Sequence, residues 1–530
     1  FGYGGDFGDH INDKQFCLNG ILSPDRQAHP ALHEIKYLQQ AVALVHKGKE
    51  TSVPHVADST TLHFCFENRF HQTPWTELQL KCFWSTDCLI HTDSPNHAQN
   101  MSQAEFDDKG VVTVEINDSY IHLLRNRNRI WINFRWFYRN RMEWMTHDVD
   151  TSFAKDQVEL CLPVSSTRED IPQIPADGCL KVQNTKDTVE IWLRRSVDKY
   201  FSRSAVINKH TGNLDSFRSK GGEEILSNGM PMKPNFTRAI TDNDRGGIDR
   251  IKSLMPSWVS CGMSLVGSML FSYSYWFRWQ KHGLDPEFPP EIKCHSLQIV
   301  KDTTSSVKLL ATCSLISKRR VIFQQNIVYE FHTDGSIKLS TQTIPTADLR
   351  KVGSLPRIGY SMCIDEKMNR ILYMGRGPIE NYADRKEGSD LGVWSASPKE
   401  MGYNYIVPSE NGNRSDCCWC SLANETGEGI VIVATEVSAS FNFSALLHAQ
   451  DELHRATHTH HLEEREEGPI YLSFDRHQMG IGGDVGWSPC VYKPYLLQPD
   501  KEFYSSFWLC PQGSGDDPAD LGRRKIRSQT

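Results

Sequence analysis

The sequence has no excess of positive charge: 58 Lys and Arg stand against 65 Asp and Glu, a formal net charge of −7. A phosphate backbone or an anionic lipid surface finds no global field to hold it, so no nucleic acid and no membrane is expected as a partner. A cysteine framework is lacking too. The 15 cysteines are an odd number scattered without repeated spacing, which suits thiols of a reducing compartment and points to a cytoplasmic location. Six Asn-x-Ser/Thr sequons, at Asn100, Asn117, Asn235, Asn413, Asn424 and Asn442, keep a secreted or lysosomal route as the alternative. The chain opens on Phe1 without a charged n-region and apolar h-region, so a fragment or a trimmed chain is expected. The one long uncharged run, Leu254 to Phe277, could reach across a bilayer by length. Its serines at 257, 260, 264, 268, 272 and 274 and its two glycines argue against a span. Internal repeats are absent.

What the sequence does have is strand pattern. With 39% hydrophobic, 23% charged and 10% aromatic residues it has enough apolar surface to fold, and at ~150 residues per domain the chain makes about three domains. Short runs in which β-branched and aromatic residues alternate with polar ones, such as Leu62 to Phe70, Val111 to Ile116 and Ile130 to Tyr138, predict strands. Ile327 to Phe331 and Ile337 to Ile344 flank Asp334-Gly335, which supplies the positive φ of a hairpin turn. Only Pro30 to Lys47 carries a helical stripe, through Ala31, Leu32, Ile35, Leu38, Ala41 and Leu44. The expectation is therefore a mainly β chain of sandwiches. The proline-rich stretch Pro172 to Gly178 reads as a linker.

Polar clusters come next. Gly4 to Gly20 is dense in glycines, carboxylates and amides, and Asp6, Asp9, Asn12 and Asn19 are hard oxygen donors suited to Na⁺, Mg²⁺ or Ca²⁺. A capped turn explains the same composition. Asp242 to Gly247 imitates a Ca²⁺ loop, yet Ser253 stands where that loop needs a glutamate. The histidines at 448, 454, 458, 460 and 461, and the pair Cys417 and Cys420, have spacings that raise Zn²⁺, but the pairs lie far apart in the chain. Glu463 to Glu467 reads as a solvated charge run rather than a catalytic group.

Four blocks carry a resemblance. Gly4 to Gly20, continued by Pro24-Asp25-Arg26-Gln27-Ala28-His29-Pro30, resembles the end of the catalytic barrel in the β-galactosidases of glycoside hydrolase family 2. Gly375-Arg376-Gly377-Pro378-Ile379-Glu380-Asn381-Tyr382-Ala383-Asp384-Arg385, Pro408-Ser409-Glu410-Asn411-Gly412-Asn413-Arg414 and Met479-Gly480-Ile481-Gly482-Gly483-Asp484-Val485-Gly486-Trp487-Ser488-Pro489 resemble that family's C-terminal domain, in the same order. The resemblance implies three regions: 1–41, the last strand and helix of a TIM barrel; 42–175, an immunoglobulin-like β-sandwich; and 176–512, a large antiparallel β super-sandwich of galactose-mutarotase-like type. The tail 513–530, with Gly513, Gly515, Asp516, Asp517, Arg523, Arg524 and Lys525, has little to bury and is expected to be disordered.

It also implies chemistry. A retaining glycosidase needs two carboxylates about 5 Å apart, and by resemblance both glutamates lie upstream of Phe1, so no catalytic residue is expected in this chain and the fragment alone is expected to be inactive. Phe16 through its carbonyl and Asn19 through its side chain would hold a Na⁺ that also takes the galactose 6-hydroxyl, and Asn12 would serve a peripheral Mg²⁺. Trp487 matches the ring on which the sugar stacks, and its glycine-rich flank suits a presented ring. Asp244 and Gly246 match a mobile loop beside the active site, although the serine-rich insertion Pro256 to Tyr275 departs from the family pattern. The expected activity is hydrolysis of terminal β-D-galactose from β-galactosides such as lactose, in a homo-oligomeric complete enzyme whose barrel this chain lacks. The alternative is a non-catalytic carbohydrate-binding or complementing subunit that works beside a separate barrel chain.

Overall fold

The computed structural model describes residues 2–9, 12, 19–45, 61–87, 99–103, 105–115, 129–140, 152–160, 178–227, 229–246, 274–435, 440–483 and 491–527. The chain divides into two compact units, one of Phe1–Gly20, Pro172–Lys386 and Ser395–Thr530, the other of Ile21–Ile171 and Glu387–Trp394. The linker read at Pro172 to Gly178 falls outside the described residues up to the strand that begins at Gly178.

The smaller unit is a sandwich of two antiparallel sheets. One has the order Val42–Leu44, Thr61–Asn68, Val111–Glu115, Glu105–Phe106, and the other Gln99–Gln103, Leu78–Thr86, Ile130–Tyr138, Ala154–Leu160. Alternation does the folding work here: along Leu78–Thr86 every second residue is buried, because successive side chains of a strand leave on opposite faces. The inward set, including Phe64, Phe66, Leu80, Val112, Phe134 and Trp136, makes one core. The edge-on ring contacts Phe64–Phe134 and Phe66–Trp136 lie at 5.0 and 5.2 Å, the arrangement aromatic quadrupoles favour.

The helix read over Pro30 to Lys47 is shorter than its stripe. It spans Pro30–Leu38, with proline at the start where a missing N–H costs nothing. Beyond it Val42–Leu44 pairs with Phe66 to Asn68 as a strand. The buried Gln40 side chain accepts from the Lys155 N–H at 3.0 Å and donates to Asp156. Tertiary pairing therefore overrides a periodicity that would have carried the helix two turns further.

Asp156 is the exposed weak point of that arrangement to pH. Burial pushes its carboxyl up to about 7, against the opposing bonds from the Leu44 N–H and Gln40. A folded pKa above the unfolded value means that the stability present below about pH 4 is lost as pH rises through about 7. Asp156→Asn keeps an acceptor for Leu44 and removes the titration. The variant should be flatter by up to about 4 kcal/mol between those limits, read as unfolding midpoints in denaturant at both ends of the window; parallel wild-type and variant profiles would contradict it.

Among its described residues the larger unit holds three sheets. A long antiparallel sheet runs in the order Glu291–Asp302, Ser306–Ser317, Arg320–His332, Ile337–Pro345, Phe503–Gln512, Gly429–Ala434, Trp419–Ala423, Arg370–Gly377. A second has the order Lys233–Asn235, Arg357–Ile364, Ile470–Gln478, Phe441–Leu446, Arg414–Cys417, and a third Leu214–Phe217, Ser202–Asn208, Thr188–Arg195, Gly178–Asn184. The hairpin at Asp334-Gly335 forms as read: Gly335 has φ +85° and its N–H donates to His332.

The tail expected to be disordered is a helix. Pro518–Arg527 folds against the unit with Ala519 fully buried. Gly522 lies so close to the Trp419 ring that a Cβ would stand 2.7 Å from Cδ1. Lys525 donates to Asp334 and Ser336, each at 2.7 Å, and its ammonium sits 4.3 Å from the Trp508 ring centroid. Gly522 is the close approach of that helix and Lys525 its anchor.

Candidate functional site

Three motif blocks far apart in the chain meet in the larger unit. In the first, Asn381 donates through its side chain to the Arg376 and Ile379 carbonyls at 3.0 and 2.8 Å, closing the turn after the strand Arg370–Gly377. Its backbone joins the second block: the Asn381 N–H donates to Asn413 at 2.9 Å and Asn413 Nδ2 donates back to the Asn381 carbonyl at 2.7 Å. Ser415 N–H donates to Asn381 Oδ1 at 2.8 Å.

Glu380 ties the same two blocks by charge. Its Oε2 accepts from the Gly412 N–H at 2.7 Å, while Oε1 accepts from Tyr405 at 2.7 Å and from Arg385. Both oxygens are occupied and the side chain is buried, so this carboxylate has neither the access nor the free oxygen that a nucleophile or acid needs. Glu410 is used likewise, bound by Arg357 and by Gln478 Nε2 at 3.2 Å. Beside them, burial pushes Asp475 up to about 7, with Arg357 opposing and Glu410 adding to the rise.

The tight turn from Tyr382 to Arg385 aims Asp384 at the third block. Its carboxylate accepts the backbone N–H groups of Ile481 and Gly482 at 3.2 and 2.8 Å. A Cβ on Gly480 would overlap that carboxylate, which explains why glycine stands there. From the other side Arg238 donates to the Met479 and Gly480 carbonyls at 2.9 and 3.1 Å, and Asn243 donates to Ile481 at 2.6 Å. The segment 479–482 is thus clamped on consecutive carbonyls and amides immediately before the run that contains Trp487.

Asp244 and Gly246 sit on this clamp. Asp244 is fully buried and takes Arg238 on both oxygens, at 3.1 and 2.7 Å. It also closes a capping box with Thr241 at the start of the one-turn helix Asp242–Arg245, which Gly246 ends at φ +63°. Burial opposes the Arg238 charge, and Asp244 holds the guanidinium above its ordinary value. Of the remaining expected residues, Phe16 and Trp487 lie outside the described residues, as does most of Pro256 to Tyr275. Asn19 is exposed, and Asn12 Nδ2 donates to the Asp9 carbonyl at 3.1 Å. Of the expected Na⁺ pair only Asn19 lies among the described residues, and of the Mg²⁺ loop only Asn12.

Among the described residues no group of three or more His, Cys, Asp or Glu side chains is placed to hold a metal ion. His458 Nε2 instead donates to the Asp6 carboxylate at 2.6 Å and stacks on Tyr3 at 4.6 Å, fastening the start of the chain to the 457–461 loop. Two of the sequons are closed by the fold: Asn235 and Asn413 are buried and hydrogen-bonded. The sequence reading quoted Glu380, Asn381, Asp384 and Glu410 only as parts of motifs, raised His458 only as a Zn²⁺ candidate, and missed Arg238. Arg238 stands among Phe236, Thr237, Ala239 and Ile240, with no neighbouring glycine block or charge to mark it.

Residues 201–509 match the family model described as beta galactosidase small chain. The chain belongs to that family. Residues 1–44 match a second model, the TIM barrel domain of glycosyl hydrolases family 2. The chain's relatives include a beta-galactosidase of Vibrio cholerae, 28% identical over 95% of this chain and 42% of that protein. One of Leuconostoc mesenteroides is 28% identical over 97% of this chain and 44% of its own length, and one of Pseudoalteromonas haloplanktis 27% over 95% and 43%. The chain spans less than half the length of these relatives.

Proposed function

We propose that the protein is a retaining β-galactosidase that removes terminal non-reducing β-D-galactose from β-galactosides such as lactose, and that this chain is its C-terminal part. The observation that carries the reading is the clamp of Arg238, Asn243 and Asp384 on residues 479–482. A rigid, fully satisfied backbone immediately before Trp487 suits a ring that must meet a sugar face at a set height. The carboxylates that the clamp contains are bound to arginines and backbone, so the acid and the nucleophile come from the barrel portion. In the same reading Phe16 and Asn19 hold a Na⁺ that takes the galactose 6-hydroxyl, and Asn12 serves a Mg²⁺; both are hard oxygen donor sets. The complete enzyme is a homo-oligomer, and its location is cytoplasmic.

The test is complementation with an aryl β-galactoside as substrate. The chain alone should show no turnover, and adding a fragment that carries the barrel should restore it. In that assembled enzyme Trp487→Ala should raise KM roughly ten-fold, equivalent to ~1–2 kcal/mol of stacking, with the unfolding midpoint unchanged. Turnover by the chain alone, abolished by changing one of its own acidic residues, would overturn the assignment. A non-catalytic subunit would instead bind galactose without activity under either condition.

A further inference from the structure

We infer that Cys294 and Cys313 form a reactive cross-strand dithiol, which a low-molecular-weight disulfide such as glutathione disulfide oxidises to an intramolecular disulfide. The two residues stand directly opposite each other where the strand Glu291–Asp302 pairs with Ser306–Ser317. Opposed residues of an antiparallel ladder have Cα atoms about 4.5–5.5 Å apart, inside the range of about 4.4–6.8 Å that a disulfide spans. The register shifts just after Cys294, and its N–H leaves the ladder to donate to the His210 carbonyl at 2.8 Å. The sulfurs also converge. A Cβ on Gly212 would lie 2.8 Å from Cys313 Sγ and 3.7 Å from Cys294 Sγ, so both face the same spot over the turn at 211–212.

Reactivity is divided between them. Glu291–Asp302 ends the long sheet, and Cys294 on it is half-buried while Cys313 on the next strand is buried. The Cys313 thiol facing it chiefly draws the Cys294 thiol down to about 7. The facing Cys294 sulfur, with burial, drives Cys313 upward. Burial pushes Cys82 and Cys510 up to about 12, at Cys510 against the charge of Lys525, which leaves them inert as thiolates near neutrality.

Cys294 is therefore the attacking sulfur. Its thiolate attacks one sulfur of glutathione disulfide, breaking that S–S bond and expelling one glutathione thiolate. Cys313 then loses its proton to solvent, and its sulfur attacks the Cys294 sulfur of the mixed disulfide. The Cys294–Cys313 bond forms and the second glutathione leaves. Two protein thiols are oxidised and one glutathione disulfide is reduced to two glutathione molecules.

The test uses the whole 530-residue chain, reduced, exposed to glutathione disulfide near neutral pH, alkylated and digested for mass spectrometry. Two of the 15 thiols should disappear from the free pool, in one linked pair of peptides that contain Cys294 and Cys313. Dithiothreitol should restore both. Cys294→Ser should give no link, with Cys313 unmodified, and Cys313→Ala should stop at glutathione on Cys294. The inference is overturned if wild-type Cys294 and Cys313 both stay alkylatable, or if wild-type Cys294 stops at the mixed disulfide. If Cys313→Ala fails to fold, the wild-type and Cys294→Ser digests still decide between these outcomes.

Discussion

Replacing Arg238 by methionine should lower the unfolding free energy of the larger unit by about 3–5 kcal/mol, because it leaves a buried carboxylate without its counter-charge. Arg238 and Asp244 are both fully buried, and the guanidinium also serves the carbonyls of Met479 and Gly480. Methionine fills similar volume but donates nothing, so Asp244 and two carbonyls lose that donor together. Arg238→Lys keeps the charge on one nitrogen that cannot span both partners, and its loss should be intermediate. Urea unfolding of the chain and the two variants measures this. A methionine variant within about 0.5 kcal/mol of the wild type would show that the pair is not a clamp, since changes of that size are typical of surface positions.

The second large effect is expected at Glu380. Glu380→Ala removes the acceptor of Arg385, Tyr405 and the Gly412 N–H at once, and breaking such a buried pair should cost about 3–5 kcal/mol. Glu380→Gln retains one oxygen for the Gly412 N–H and should lose about half as much. Glu466→Ala is the control: its partner Lys399 and its own side chain are more than half exposed, and exposed pairs of this kind are worth at most about 1 kcal/mol. Comparing the three unfolding midpoints separates buried from solvated carboxylates in one chain. Equal losses at Glu380 and Glu466 would contradict the description of the site.

The strands were legible because a half-buried strand must alternate, and the burial of Leu78–Thr86 and Ile337–Pro345 repeats the period of two seen in their letters. The hairpin at Asp334-Gly335 was legible because so few residues accept a positive φ. The helix at Pro30 was half legible. Its stripe continued through Ala41 and Leu44, but Gln40 and the strand pairing of Val42–Leu44 ended it, and no local signal reports a partner more than a hundred residues away. The C-terminal helix was missed for the related reason that its anchors, Trp419, Trp508 and Asp334, belong to three other strands and turns.

The four motif blocks by themselves determined the family, since their residues and order are local and additive evidence. The period-two runs likewise determined the mainly β architecture, because alternation follows from the geometry of a single strand. Only the tertiary structure decided what the charged residues of those blocks do. Glu380, Glu410, Asp384 and Asp244 look alike in a sequence, as acids near glycines. Burial beside Arg385, Arg357, the 481–482 amides and Arg238 makes each a structural clamp. The reason is physical: the interaction of a charge depends on its distance to other charges and on the surrounding dielectric, and both are properties of the folded chain.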